Sequence, residues 1–226
     1  VGHYRERGFL PQALVNVHAL LGWSLDEPTT IIDRQALIAN FSLDRVGSKP
    51  AVWDTDKLVW MNAQYIMALS DGELAEAVMP FLVREGLVAE GDEAARRKVL
   101  RAAPLVRERL KVLGDAVPLL SFLFREVEVE EDSLRLLRGE ENERVLRETG
   151  KRLLDLGRFD AAGIEEALRS LAGELGIKAR VAFQPIRVAV TGRKVSPPLF
   201  ESMELLGRAA CLQRIARALE TREEGE

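Results

Sequence analysis

A chain of 226 residues with 47% hydrophobic and 30% charged residues can fill one large core or two small ones, which excludes a disordered composition. There is no apolar run of about 18 residues and no signal-peptide core, so a soluble cytoplasmic protein without a membrane partner is expected. One cysteine, Cys211, with two histidines, His3 and His18, excludes an internal disulfide and a Cys/His metal cluster.

The formal net charge of −4 hides a segregation of charge. Residues 176–222 carry nine Lys or Arg against three Glu, while residues 125–148 carry nine acids against five Arg. Either run alone reads as a solvated helix face, but the arrangement also suits a polyanion bound at one end.

In chain order, Pro11 suits the first position of a helix whose apolar residues Leu14, Val15, Leu20 and Leu21 run up to Gly22. A second helical pattern spans Ile31 to Phe41. Within residues 49–66, KPAVWDTDKLVWMNAQYI, the residues Trp53, Leu58, Trp60, Met61, Tyr65 and Ile66 supply one side of a further helix. Ser70-Asp71-Gly72-Glu73 reads as a capping box, after which Leu74, Val78, Phe81 and Leu82 form an inner face and Pro80 is expected to kink or split the helix.

A helix from Pro104 to Leu113, closed by Gly114, would leave Arg107, Glu108, Arg109 and Lys111 outward. The segment REVEVEEDS, residues 125–133, alternates like a strand, yet between helices it reads as an exposed connector. Helical patterns follow from Arg138 to Leu156, from an Asp160 cap to Gly176, and from Ala209 to about Thr221. The last of these should turn Leu212, Ile215 and Leu219 inward and Arg208, Arg214 and Arg217 outward, with a frayed REEGE tail.

Residues 184–207, QPIRVAVTGRKVSPPLFESMELLG, hold the densest punctuation: Pro185 suits a helix start, Gly192 a stop, Ser196 with Pro197 a second start, and Gly207 a second stop. Such a stretch fixes a bend. Arg187, Arg193 and Lys194 add cations to it, a chemistry suited to an anionic, base-bearing partner.

This stretch resembles the end of the anticodon-binding domain of bacterial-type glutamyl-tRNA synthetases, through Pro185, Arg187, Ala189, Thr191, Gly192, Ser196, Pro197, Leu199, Phe200 and Leu205-Leu206-Gly207. Two earlier blocks resemble the same family in the same order: Gly8, Leu10-Pro11, Ala13-Leu14, Asn16 and Leu21-Gly22-Trp23, then the run from Trp53 to Ile66. Departures from the family pattern are Val17-His18, Trp53 in place of Phe, and Arg208-Ala209-Ala210 after Gly207.

The resemblance implies an all-α fold with the end of a stem-contact domain at residues 1–72 and two anticodon-binding helical subdomains at 73–133 and 134–226. It implies anticodon contacts at Arg109, which would read the third anticodon base, and at Arg187, Ser196, Pro197, Pro198, Leu199 and Phe200. Phe200 reads equally as a stacking platform or a buried anchor. Lys57 and Asn62 would contact the tRNA stem.

The expected partner is tRNA-Glu, not DNA, bound by a monomer. No catalytic constellation or phosphate loop is recognisable, so glutamate–tRNA ligase chemistry, with its ATP and Mg²⁺, would belong to an N-terminal domain outside this chain, leaving the chain itself inactive. The alternatives are a nondiscriminating or paralogous synthetase that also accepts tRNA-Gln, and a non-catalytic helical interaction module. The latter calls for a recurring period of ~30 to 45 residues that is not seen.

Overall fold

The computed structural model describes residues 1–26, 28–47 and 52–220. Among these the regular structure is α-helix and 3₁₀ turn, with no strand, so the fold is all-α. Contacts divide the chain into two compact units, Val1–Val117 and Pro118–Glu226. The boundaries suggested by sequence near 72 and 133 mark local features, a capping box and an acidic connector, that lie within these units.

The first unit holds α1 (Gly2–Arg7), α2 (Pro11–Ala19), α3 (Arg34–Asn40), α4 (Thr55–Ala68), α5 (Asp71–Arg84) and α6 (Glu93–Val106). Helix α2 packs on α4, burying Phe9, Ala13, Val17, Leu58 and Met61. The aromatic-rich block of α4 is therefore chiefly core, although Trp60 stays 49% exposed. Polar staples lock this packing. Asn16 Oδ1 accepts from the Ile32 amide at 2.9 Å and from the Tyr65 hydroxyl at 2.9 Å.

Gly8 is required where the turn after α1 passes another backbone: its φ is 94°, and a Cβ there would stand 2.7 Å from the amides of Leu113 and Gly114. The capping box of α5 forms as expected, with the Glu73 amide donating to Ser70 Oγ at 3.2 Å and the Ser70 amide to Glu73 Oε2 at 2.8 Å. Pro80 does not split α5, which runs unbroken from Asp71 to Arg84. Glu76, whose carbonyl loses its usual partner there, lies on the exposed face, where water can replace the bond.

Pro104 likewise opens no helix. It sits in the last turn of α6, which starts where Asp92 accepts from the amides of Ala94 and Ala95, both at 2.9 Å. Beyond Val106 the chain tightens into 3₁₀ turns at Arg107–Arg109 and Leu113–Asp115.

The division between the units falls within α7 (Ala116–Leu120). The second unit continues with an irregular stretch, a 3₁₀ turn at Glu131–Leu136, and α8 (Glu140–Asp155), α9 (Ala161–Glu174), α10 (Ala179–Thr191), α11 (Leu199–Leu206) and α12 (Arg208–Glu220). One core, including Leu146, Leu153, Ile164, Leu168, Val188 and Met203, is shared by all five helices. Asp160 caps α9 by accepting from the Gly163 amide at 2.8 Å, as the sequence suggests.

Pro185 does not begin α10 but lies buried in its middle, opposite the expectation. Val181, whose carbonyl the proline leaves without a helical partner, is 45% exposed, so hydration removes most of the penalty. The expected frayed tail lies outside the described residues.

Candidate nucleic-acid interface

The corner between α10 and α11 forms because Gly192 ends α10 in the left-handed region, at φ 78°. Only glycine fits: a Cβ would lie 2.7 Å from both the Glu128 carbonyl oxygen and Val127 Cγ1. One turn earlier, Arg187 sends its guanidinium across the bend. Its Nη1 donates to Ser196 Oγ at 2.6 Å and to the Pro197 carbonyl at 2.9 Å. A planar multi-donor head makes such a clasp well, because two acceptors are held by one rigid group.

That clasp moves the expected helix start. Ser196 Oγ is engaged by Arg187, so α11 begins at Leu199 with Pro198 as its N-cap residue. Ser202 Oγ donates to the Pro198 carbonyl at 2.6 Å and closes the turn from the far side. Ser196, Pro197 and Leu199 are buried, and Pro198 and Phe200 are half-buried. Phe200 meets Phe183 edge-on at 5.3 Å and 88°, which makes it an anchor of the corner against the core. The face of the bend is supplied by Lys194, by Val195 at 68% exposure, and by part of Pro198.

The acidic stretch lies against this bend. The Glu130 amide donates to the Gly192 carbonyl at 3.0 Å. Arg193 Nε pairs with Glu130 Oε1 at 2.9 Å, its Nη1 donates to the Pro118 carbonyl at 3.1 Å, and Lys194 pairs with Asp132. The Lys194 hydrogen bond holds the Asp132 carboxyl below its ordinary value, against a smaller opposing effect of desolvation. The two charge runs that look separate in the sequence thus neutralise each other locally through these ion pairs.

Two of the three arginines expected to face outward from α12 turn inward instead. Arg214 donates to the carbonyls of Val190 at 2.5 Å, Phe122 at 2.7 Å and Arg125 at 3.0 Å, and its burial lowers its pKa. Arg208 donates to the Leu156 carbonyl just beyond α8 and lies over the Phe159 ring at 5.3 Å. Both satisfy carbonyls that a helix end or an irregular segment leaves without backbone partners. Arg217 stays exposed and pairs with Glu126.

In the first unit, the Arg-Glu-Arg turn separates its two arginines. Arg107 points in, donating to the carbonyls of Met67 at 3.2 Å and Leu69 and pairing with Asp71, so it ties the turn to the α4–α5 junction. Arg109, two residues on, is exposed. Of the two stem-contact candidates, Lys57 is exposed on α4. Asn62 is fully buried: its Oδ1 accepts from the Leu10 amide at 2.7 Å and its Nδ2 donates to the Lys111 carbonyl at 2.6 Å. The stem contact expected of Asn62 therefore gives way to a structural crosslink, because a phosphate could reach it only by undoing both bonds.

The acidic stretch also walls a cleft of about 930 Å³ in the second unit, with Val127, Val129 and Leu137 among its apolar residues and Glu140 at the start of α8. Among the described residues, no group of three or more His, Cys, Asp or Glu is placed to hold a metal ion, and no helix is long and apolar enough to cross a membrane. Cys211 is buried, and desolvation pushes its thiol up to about 12, so it offers no nucleophile at neutral pH.

Comparison with known proteins adds three findings. The family described as "Anticodon binding domain" matches residues 73–219. A glutamate–tRNA ligase of Saccharopolyspora erythraea is 44% identical over 221 residues, 96% of this chain and 44% of the relative, and one of Roseiflexus is 44% identical over 218 residues. The crystal structure of a glutamate–tRNA ligase from Elizabethkingia meningosepticum superposes with a TM-score of 0.84 at 27% identity, covering 96% of this chain and 42% of that one. The chain thus spans less than half the length of the relatives it matches.

Proposed function

As the chain belongs to the anticodon binding domain family, we propose that it is the tRNA-anchoring part of a longer glutamate–tRNA ligase and holds tRNA-Glu by its anticodon as a monomer in the cytoplasm. Activation and transfer of glutamate, with ATP and Mg²⁺, fall to the portion of the longer protein outside this chain, and the chain alone does not aminoacylate. The observation that carries this reading is the clasped corner of the second unit. Its exposed face is held by one arginine, two prolines and a phenylalanine pair, so little motion is lost when unstacked bases dock against it.

Each candidate residue then takes a role set by its surroundings. Arg109, exposed at the end of a turn that Arg107 anchors, presents a guanidinium to the third anticodon base, whose acceptors it can engage in a bidentate manner. Arg187, Ser196, Pro197, Leu199 and Phe200 shape the corner from behind, while Pro198 contributes to its face. Lys57 meets a stem phosphate as a point charge.

The test is equilibrium binding of the chain to tRNA-Glu and tRNA-Gln at fixed salt. The wild-type chain is expected to bind tRNA-Glu saturably and to prefer it. Arg109→Ala should weaken that binding by about 1–3 kcal/mol and narrow the preference. No saturable binding by the wild type rejects the reading. Equal binding of both tRNAs by the wild type would instead mark a nondiscriminating relative and remove Arg109 from base recognition.

A further inference from the structure

We propose that Glu130 and Asp132 determine the selectivity of the corner by holding Arg193 and Lys194 in intrachain ion pairs, so that nonspecific polyanions meet a neutralised surface. This rests on the reading of the corner as an RNA-docking element. Two cations on an exposed bend would otherwise attract any phosphate chain, because nonspecific binding is driven by counterion release and ignores base identity.

The geometry that carries this is the way the carboxylates are delivered. They do not hang from a loose loop. The Glu130 amide donates to the Gly192 carbonyl at 3.0 Å, and the amide of buried Ser133 donates to the Glu130 carbonyl at 2.8 Å. Gly192 has no Cβ because the Glu128 carbonyl occupies that space. The acidic backbone is thus fastened to the bend at Glu130, and the turn that carries Asp132 is closed on itself by the Ser133 amide. From it, Glu130 reaches Arg193 Nε at 2.9 Å and Asp132 reaches Lys194.

Both pairs remain accessible. The side chains of Arg193 and Glu130 are 36% and 44% exposed, and those of Lys194 and Asp132 are 43% and 59% exposed. Pairs this open to solvent are weak enough to exchange with a phosphate once other contacts have placed the RNA, but they oppose binding that depends on charge alone. Discrimination then passes to the rigid face at Val195 and Pro198. The arrangement also gives two of the nine acids at residues 125–148 a role beside the basic corner.

The experiment compares the wild-type chain with the isosteric double variant Glu130→Gln/Asp132→Asn, each checked for helicity and thermal midpoint. The double variant should elute from immobilised heparin at higher salt. It should steepen the dependence of log K on log salt for a non-cognate tRNA by roughly one to two, since each added phosphate contact contributes about 0.7–0.9. It should also lower the ratio of tRNA-Glu to non-cognate affinity. Adding Arg193→Ala and Lys194→Ala to the double variant should abolish the gain.

Unchanged heparin elution and slope, or a gain that survives in the quadruple variant, overturns the proposal. A second, independent arm uses Lys194→Ala in the wild-type background. The slope should barely move, because that charge is already met by Asp132 and makes no phosphate contact, and a fall equal to a full phosphate contact also overturns the proposal. Failure of the wild-type chain to bind tRNA rejects the anticodon-binding reading alone, since the heparin arms still decide whether the two carboxylates mask the two cations.

Discussion

Asn62 shows how a residue of a family motif can serve the fold. It lies within a matching block, and its side chain crosslinks the Leu10 amide to the Lys111 carbonyl with 0% exposure. Asn62→Ala should leave a buried donor and acceptor unpaired and cost about 1–3 kcal/mol, read as a lower urea midpoint with an unchanged slope. The salt dependence of tRNA binding should not change, which a lost phosphate contact would alter. Arg107 and Arg109 make the same point as a pair. They are the same residue type two positions apart, yet one is bound to α4 carbonyls and the other is exposed.

At the scale of elements, the corner depends on Arg187 bracing α11 from α10. Arg187→Lys keeps the charge, but its shorter stem ends in a flexible ammonium in place of the rigid guanidinium whose Nη1 meets both Ser196 Oγ and the Pro197 carbonyl. Both Arg187→Lys and Arg187→Ala should therefore weaken tRNA-Glu binding by about 1–3 kcal/mol. In neither case should the log K against log salt slope change, because the residue acts by holding the loop. A lysine variant with wild-type affinity would show that charge, not geometry, is what Arg187 supplies.

Helix boundaries at this scale were legible where side chains set them. The capping box at Ser70 and the Asp160 cap formed as the residues suggest, because each acceptor bonds an amide three residues on. Boundaries inferred from proline held at Pro11, which opens α2, but not at the later prolines. Pro104 and Pro185 read as helix starts, but both lie inside helices, since burial of an apolar face outweighs one missing backbone bond when the orphaned carbonyl is near water.

For the whole molecule, the proposed RNA binding by an acidic chain would rest on local features of each of the two units, and their contributions should separate experimentally. Lys57→Ala, in the first unit, should reduce the salt slope for tRNA-Glu by about 0.7–0.9 while leaving the preference over tRNA-Gln intact. Arg109→Ala should narrow that preference. If Lys57→Ala alters preference and leaves the slope alone, its assignment as a stem phosphate contact is lost.

The helical character was legible in residue order, because helix periodicity and side-chain caps are local properties of the chain, and the kinship with glutamyl-tRNA synthetases was carried by the resemblance of its motif blocks. Only tertiary structure decided which cations remain on the surface. Arg214 and Arg208 were drawn inward by carbonyls that packing brought within reach, and Arg193 and Lys194 were matched to carboxylates some sixty residues earlier. A guanidinium goes to whichever unsatisfied acceptor the folded backbone sets beside it, and sequence spacing does not encode that proximity.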